Sequence, residues 1–142
     1  MFVLLIEDDP GIASLIHVIF TLQHHEVKAV VSGSEARSAI DLRVPDVILL
    51  DNVLPGELGP SVCSSLTADA RLLDVPVILV TAQTDAGSLL TGLQAGATAY
   101  LMKPFHSDEL LGLVEGVIAM APPERTKLRE DLINRLAHAH DM

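Results

Sequence analysis

Five residues of this chain could do chemistry together: the carboxylates Glu7, Asp8 and Asp51, the hydroxyl of Thr81 and the ammonium of Lys103. They stand at the ends of short apolar runs. Phe2-Val3-Leu4-Leu5-Ile6 leads into Glu7-Asp8, and Val47-Ile48-Leu49-Leu50 leads into Asp51. Val77-Ile78-Leu79-Val80 leads into Thr81, and Ala99-Tyr100-Leu101-Met102 leads into Lys103. Carboxylates crowded together repel and need a cation to stay ionised side by side. A hard divalent ion with oxygen ligands meets that need, and Mg2+ suits a site of few carboxylates and several waters. Such a set fits phosphoryl transfer. Asp51 can be the nucleophile. The metal and Lys103 can neutralise the equatorial oxygens of the transferred group. Thr81 can then hydrogen-bond a phosphoryl oxygen. The chain has no serine-histidine-aspartate order, Walker loop or zinc-ligand spacing.

The elements that must position these residues follow from the same runs. Four apolar residues before Asp51 read as a strand buried on both faces, stopped by the Pro55-Gly56 turn. The other strands are Phe2 to Ile6, Val27 to Val31, Pro76 to Thr81 and Ala99 to Met102. Asp9-Pro10 starts a helix, with Asp9 as N-cap rather than ligand and Ile12, Leu15, Ile16, Ile19 and Leu22 at helical spacing. A second helix begins at Ser32-Gly33-Ser34, a third spans Gly59 to Thr67, and a fourth spans Asp85 to Gln94 with Gly96 after it. The fifth runs from Ser107 to Met120, with Ser107 as its cap and Asp108 and Glu109 at its positive end. Five strands alternating with five helices imply an α/β fold, a parallel sheet with right-handed crossovers and helices on both faces. All strand carboxyl ends then share one edge, where ligands bind in open α/β sheets.

Length and charge bound the rest. The 142 residues suit one compact domain, and 49% apolar residues supply its core. A net charge of -10 argues against direct DNA binding and against anionic membranes. The single Cys63 excludes an internal disulfide and reads as a small semi-buried residue. No basic n-region or long apolar stretch opens the chain, so a cytoplasmic location is expected. The histidines read as surface groups: His17 off the apolar stripe, His24 and His25 in a loop, His138 and His140 in a tail. Pro122-Pro123 ends the fifth helix and divides the chain into a domain over 1–121 and a tail over 122–142. Leu128, Leu132, Ile133 and Leu136 give that tail an amphipathic helical pattern. Two readings of it stand: it packs on its own domain, or it forms a dimer seam or linker.

The motifs in combination resemble the response-regulator receiver domain of bacterial two-component systems, with its chemotaxis-regulator-like fold. They are the acidic pair after the first strand, Asp51-Asn52-Val53-Leu54-Pro55-Gly56-x-x-Gly59, Val80-Thr81-Ala82, Gly92-x-x-x-Gly96-Ala97 and Tyr100-Leu101-Met102-Lys103-Pro104-Phe105. The resemblance implies a flavodoxin-like five-stranded sheet in the order 2-1-3-4-5. It implies that a histidine kinase or phosphotransfer protein phosphorylates Asp51 in a Mg2+-dependent reaction. It implies Asp8 and Asp51 as direct metal ligands, the Val53 backbone carbonyl as a third, and Glu7 acting through water. It also implies a switch in which Thr81 moves toward the phosphoryl group and Tyr100 rotates inward, and a cis peptide at Lys103-Pro104. The expected partners are the kinase, a second copy of the chain, and an output domain or protein.

Two departures bear on output. Thr98-Ala99 precedes Tyr100, and 107–120 holds no Lys or Arg, so an ionic dimer through the last helix is not expected. An apolar contact through Leu110, Leu113, Val114 and Val117 remains open, as does a core role for the same residues. The rival function is a phosphorylation-independent binding module, but such modules usually lack part of the acidic pair, the threonine or the lysine. A phosphatase working through aspartyl phosphate would carry an acid two residues after the nucleophile, and Val53 stands there. Turnover on an outside substrate is therefore not expected. Self-catalysed hydrolysis of the phosphorylated Asp51 is expected, its rate set by Val53 and Gln83.

Overall fold

A computed structural model describes residues 1–82 and 85–140, apart from the side chain at 140. The expectation placed on Gln83, and the His140 half of the tail's histidine pair, lie outside the described residues. Strands β1 (Phe2–Ile6), β2 (Glu26–Val30), β3 (Val47–Leu50), β6 (Val77–Thr81) and β7 (Ala99–Met102) form one parallel sheet. Its order is β2-β1-β3-β6-β7, the expected 2-1-3-4-5 once an intervening hairpin is set aside. That hairpin, β4 (Val53–Leu54) with β5 (Glu57–Leu58), pairs antiparallel across Pro55-Gly56, and Gly56 takes a φ of 70° that glycine tolerates. The helices are α1 (Pro10–Thr21), α2 (Gly33–Leu42), α3 (Gly59–Thr67), α4 (Ala86–Gln94), α5 (Ser107–Ala119) and α6 (Pro122–His140).

Two apolar clusters flank the sheet. Val3, Leu5, Val47, Leu49, Ile78 and Val80 meet α1 and α5 on one face. Leu4, Ile6, Ile48, Leu50 and Leu79 meet α2, α3 and α4 on the other. Each fully buried side chain of this kind contributes roughly 1.5–3 kcal/mol, which lets the carboxyl edge carry ionised groups. The register fixes that edge. Ile6 pairs with Leu50, and Leu50 with Leu79, so Glu7 and Asp51 emerge side by side. Thr81 pairs with Met102, so Lys103 emerges beside it.

Several local expectations are corrected. Leu15 and Leu22 are exposed; Ile16, Ile19 and Phe20 form the buried face of α1. Val31 leaves the β2 ladder because its N–H donates to Glu35 Oε2 at 2.7 Å. The N-cap of α5 is His106, not Ser107: the Glu109 carboxylate reaches back to the His106 N–H at 3.0 Å. Leu110, Val114 and Val117 are fully buried under the sheet, so they are core and not a dimer surface, while Leu113 is half-buried against the same cluster. Asp9 caps α1 as expected, accepting from Gly11 N (2.8 Å) and Ile12 N (3.1 Å). The tail is a helix seated on its own domain, against α4 and β7. Among the described residues no helix is long and apolar enough to cross a membrane.

Cys63 is fully buried rather than semi-buried. Burial pushes its thiol up to about 11 from an ordinary 9.0, against smaller opposing effects of an Ala97 backbone hydrogen bond and the Arg129 charge. A folded thiol that holds its proton more tightly stabilises the fold fully below pH 9, and that contribution is lost as pH rises toward 11. Relative to Cys63→Ala, the native chain is expected to lose up to about 3 kcal/mol over that window in urea titrations. An equal pH dependence in both proteins would refute the assignment.

Candidate functional site

The site is built on the ends of β1, β3 and β7. Asp51 follows β3, and its N–H donates to Ile6 O at 3.0 Å, which fixes it beside the first strand. Its Oδ1 accepts from Val53 N at 3.0 Å, closing a turn that starts the hairpin. Its Oδ2 lies 3.3 Å from Lys103 Nζ. Glu7 is 2% exposed and receives the same ammonium at 3.1 Å on Oε1 and 3.0 Å on Oε2. Asp8 is exposed beside them, and one carboxylate oxygen each of Glu7, Asp8 and Asp51 lie within 4.8 Å of one another.

The electrostatics follow from this count. Three carboxylates share one ammonium, leaving a net charge near -2 when all are ionised. Burial pushes the Glu7 carboxyl up to about 6; the Lys103 hydrogen bond opposes that and the Asp51 charge adds to it. For Lys103, burial alone would lower the pKa, but the Glu7 hydrogen bond and the charges of Asp51 and Glu7 outweigh it and raise it. The ammonium is over-supplied with anions and the anions are under-supplied with cation.

Thr81, the last residue of β6, is fully buried, and its carbonyl accepts the Lys103 N–H at 2.9 Å. The Lys103–Pro104 peptide is cis, as the resemblance implied. Tyr100 is half-buried in β7 and packs with the apolar cluster that contains Leu89 and Leu93 of α4. Val53 is exposed at the start of the hairpin. The structure thus joins Glu7, Asp8, Asp51 and Lys103 by short distances, places Thr81 on the neighbouring strand end, and sets Tyr100 one layer behind.

Two supporting residues escaped the sequence reading. Glu57 accepts the Gly33 N–H at 3.0 Å and 3.2 Å, tying the hairpin to the start of α2. Nothing local marks that pairing, which spans 24 residues. Gly59 lies so close to Asn52 that a Cβ there would collide with the Asn52 carbonyl. Its signal was the fixed Pro55-Gly56-x-x-Gly59 spacing, which marks a turn but not a close approach.

Comparison with known proteins agrees with this geometry. The family described as response regulator receiver domain matches residues 3–115. "DNA-binding response regulator MtrA" of Mycolicibacterium smegmatis is 37% identical over 112 residues, covering 79% of this chain and 48% of that protein. The receiver domain of sensor histidine kinase PA1611 from Pseudomonas aeruginosa, solved with a magnesium ion coordinated in its active-site cleft, superposes with a TM-score of 0.77. It is 31% identical and the match covers 84% of this chain and 98% of that one. The BeF3-activated receiver domain of RstA from Klebsiella pneumoniae gives a TM-score of 0.78 at 26% identity, over 84% and 100% of the two chains.

These relatives correct one expectation. The acidic charge argued for a chain with no direct part in DNA binding, yet the matched relatives include proteins named as DNA-binding response regulators. The chain spans about half the length of the curated full-length regulators it matches. A net charge of -10 over these 142 residues is therefore no ground for excluding a DNA-binding protein. With the sheet order, the acidic edge and the family match in agreement, the chain belongs to the response regulator receiver domains of two-component systems.

Proposed function

We propose that this receiver accepts a phosphoryl group on Asp51 from a histidine kinase, in the presence of Mg2+, and changes conformation in response. One observation carries the reading: Lys103 Nζ bridges Glu7 and Asp51 at 3.0 Å and 3.3 Å, with Asp8 completing an acidic cluster. The cluster fits a divalent cation. Its donors are hard oxygens, its charge is under-compensated, and burial has already pushed Glu7 up to about 6. Asp8, Asp51 and the Val53 carbonyl would hold the ion, with Glu7 acting through water. Bound Mg2+ supplies neutralising charge for the phosphoryl oxygens. The chain's own groups do the rest. An Asp51 carboxylate oxygen bonds to phosphorus as the phosphorus–nitrogen bond of the donor phosphohistidine breaks. Lys103 offsets charge on the transferred group. Thr81 then donates its hydroxyl to a phosphoryl oxygen, and Tyr100 turns inward behind it.

No acid stands two residues after Asp51, which supports loss of the phosphoryl group by self-catalysed hydrolysis rather than turnover on an outside substrate. The reaction belongs in the cytoplasm, in keeping with the lone unpaired Cys63. The names of the relatives suggest that a DNA-binding output reads this receiver's state. A constitutive binding module of the same fold loses support because the whole acidic, threonine and lysine set is present.

Intact mass after incubation with acetyl phosphate and Mg2+ tests the proposal. The expected result is a gain of one phosphoryl group in the native chain, none in Asp51→Asn, and none with a chelator. A gain that survives Asp51→Asn refutes the aspartyl-phosphate mechanism.

A further inference from the structure

Helix α6 is held unevenly along its length. At its base, Arg125 donates from Nε to Val117 O (3.0 Å), from Nη1 to Asp74 O (2.7 Å) and from Nη2 to Ile118 O (3.2 Å). Three hydrogen bonds to backbone carbonyls fix that end to α5 and to the approach to β6. At the far end, Leu132, Ile133 and Leu136 enter the apolar cluster that holds Leu89, Leu90 and Leu93 of α4 and Tyr100 of β7. Along the first half of the helix runs an open cleft of about 410 Å3, walled by Pro122, Arg125 and Arg129 of α6 and by Gln94, Gly96 and Thr67 opposite. The Nε of Arg129 is buried with no hydrogen-bond partner among the described residues. A permanent interface is normally packed like a core and leaves no buried donor unmade. Here the base is pinned beside an open cleft, the middle buries a donor with no partner among the described residues, and the tip is an apolar contact.

The tip rests on the elements that lead from the site. Helix α4 starts five residues after Thr81, with Asp85 as its N-cap accepting from Ser88 N at 2.8 Å. It runs back from the carboxyl edge of the sheet. The base of α6 lies by the Gln94 end of α4, so its later residues lie toward the end of α4 that connects to Thr81.

We propose that α6 is a hinged cover of the α4–β7 face, seated while Asp51 is unmodified and lifted at its Leu132–Leu136 end when Asp51 is phosphorylated. The inference rests on the proposed function. A shift of Thr81 toward the phosphoryl group moves the start of α4, and an inward turn of Tyr100 removes part of the seat. Arg125, bound to carbonyls outside α4, holds the base in place, so the helix swings rather than dissociates. Coupling of this kind is reciprocal: what lifts α6 favours the modified site, and what seats it opposes modification. The competing reading is a static cover that shields the outer edge of β7.

The test uses the full chain with Mg2+ and beryllofluoride, a stable mimic of the acyl phosphate. Fluorine NMR reports adduct formation, and hydrogen exchange reports α6 and α4. Adduct formation is expected to speed exchange across 130–140 by at least about fivefold while β1 and β3 stay protected. The double variant Ile133→Glu/Leu136→Glu is expected to lower the beryllofluoride concentration for half-saturation by a similar factor, within the roughly 5–150-fold range of such couplings. An adduct that leaves α6 exchange unchanged or slower overturns the hinged cover and leaves the phosphoacceptor reading standing. So does a variant with a protected sheet and an unchanged half-saturation. If the double variant does not fold, exchange in the native chain decides alone. No adduct, or one that survives Asp51→Asn, overturns the proposed function and this inference together.

Discussion

Replacing Lys103 with methionine is expected to slow phosphoryl incorporation at Asp51 by about 100-fold, the usual loss when one preorganised charge-stabilising donor is removed. Without added divalent cation it is also expected to destabilise the fold by about 3 kcal/mol near neutral pH, as when one partner of a buried ion pair is lost. The two effects have one origin. Lys103 Nζ is the cation in hydrogen-bond contact with both Glu7 and Asp51, and those carboxyl groups are almost wholly buried. Methionine keeps the unbranched stem to Cε and removes the charged Nζ. Burial already pushes Glu7 up to about 6 with the lysine present, against its ordinary 4.5. Without the lysine it rises further, since the opposing hydrogen bond is gone. A carboxyl raised on folding binds its proton more tightly in the folded state, so its penalty is largest above the folded pKa and vanishes below the unfolded one. The variant's deficit in urea midpoint should therefore shrink as pH falls from 8 toward 4.5, and added Mg2+ should shrink it at pH 7. A deficit that ignores both pH and Mg2+ would mean that Lys103 acts through packing alone, and the charge argument would fail.

How far this site could be read in advance depended on what each residue's neighbours in sequence reveal. The strands were legible because a doubly covered parallel strand must be apolar on both faces, and Val47 to Leu50 and Val77 to Val80 are. Once the strands were placed, parallel topology alone brought Glu7, Asp51, Thr81 and Lys103 to one edge. Asp9 was legible as a cap because Pro10 follows it. The failures are of two kinds, tertiary and local. Leu15 and Leu22 keep helical spacing with the core residues, yet Phe20 takes the buried position and turns the helix face. The cap of α5 moved to His106 because Glu109, three residues on, competes for that N–H. The hairpin at Val53–Leu58 is too short to show a period. The apolar pattern of α6 said that one face is covered, and only the fold shows that α4 and β7 cover it.

Gly59→Ala is expected to destabilise the protein by about 3 kcal/mol, at the upper end of overpacking penalties, and to impair phosphoryl acceptance although residue 59 bears no functional group. An added Cβ would meet the carbonyl oxygen, the carbonyl carbon and the side-chain Oδ1 of Asn52. Two of those atoms are backbone and cannot rotate away. Asn52 joins Asp51 to Val53, and the Asp51 carboxylate is held by the Val53 N–H at 3.0 Å, so relief at Asn52 shifts the acceptor itself. Neighbouring glycines supply the controls. A Cβ at Gly92 would meet the flexible end of the Leu79 side chain, which can turn aside, so Gly92→Ala should cost about 1 kcal/mol. A Cβ at Gly112, inside α5, meets nothing within 4 Å. Gly112→Ala should stabilise the helix by about 0.5–1 kcal/mol. Urea unfolding of the three variants, with acetyl phosphate incorporation measured in parallel, separates the causes. If Gly59→Ala tracks Gly92→Ala in both measurements, the loop yields as easily as a side chain and the close approach has no part in holding the site. If it alone loses both stability and phosphoryl acceptance, the position of Asp51 is set by backbone contact from α3 as much as by the strand that carries it.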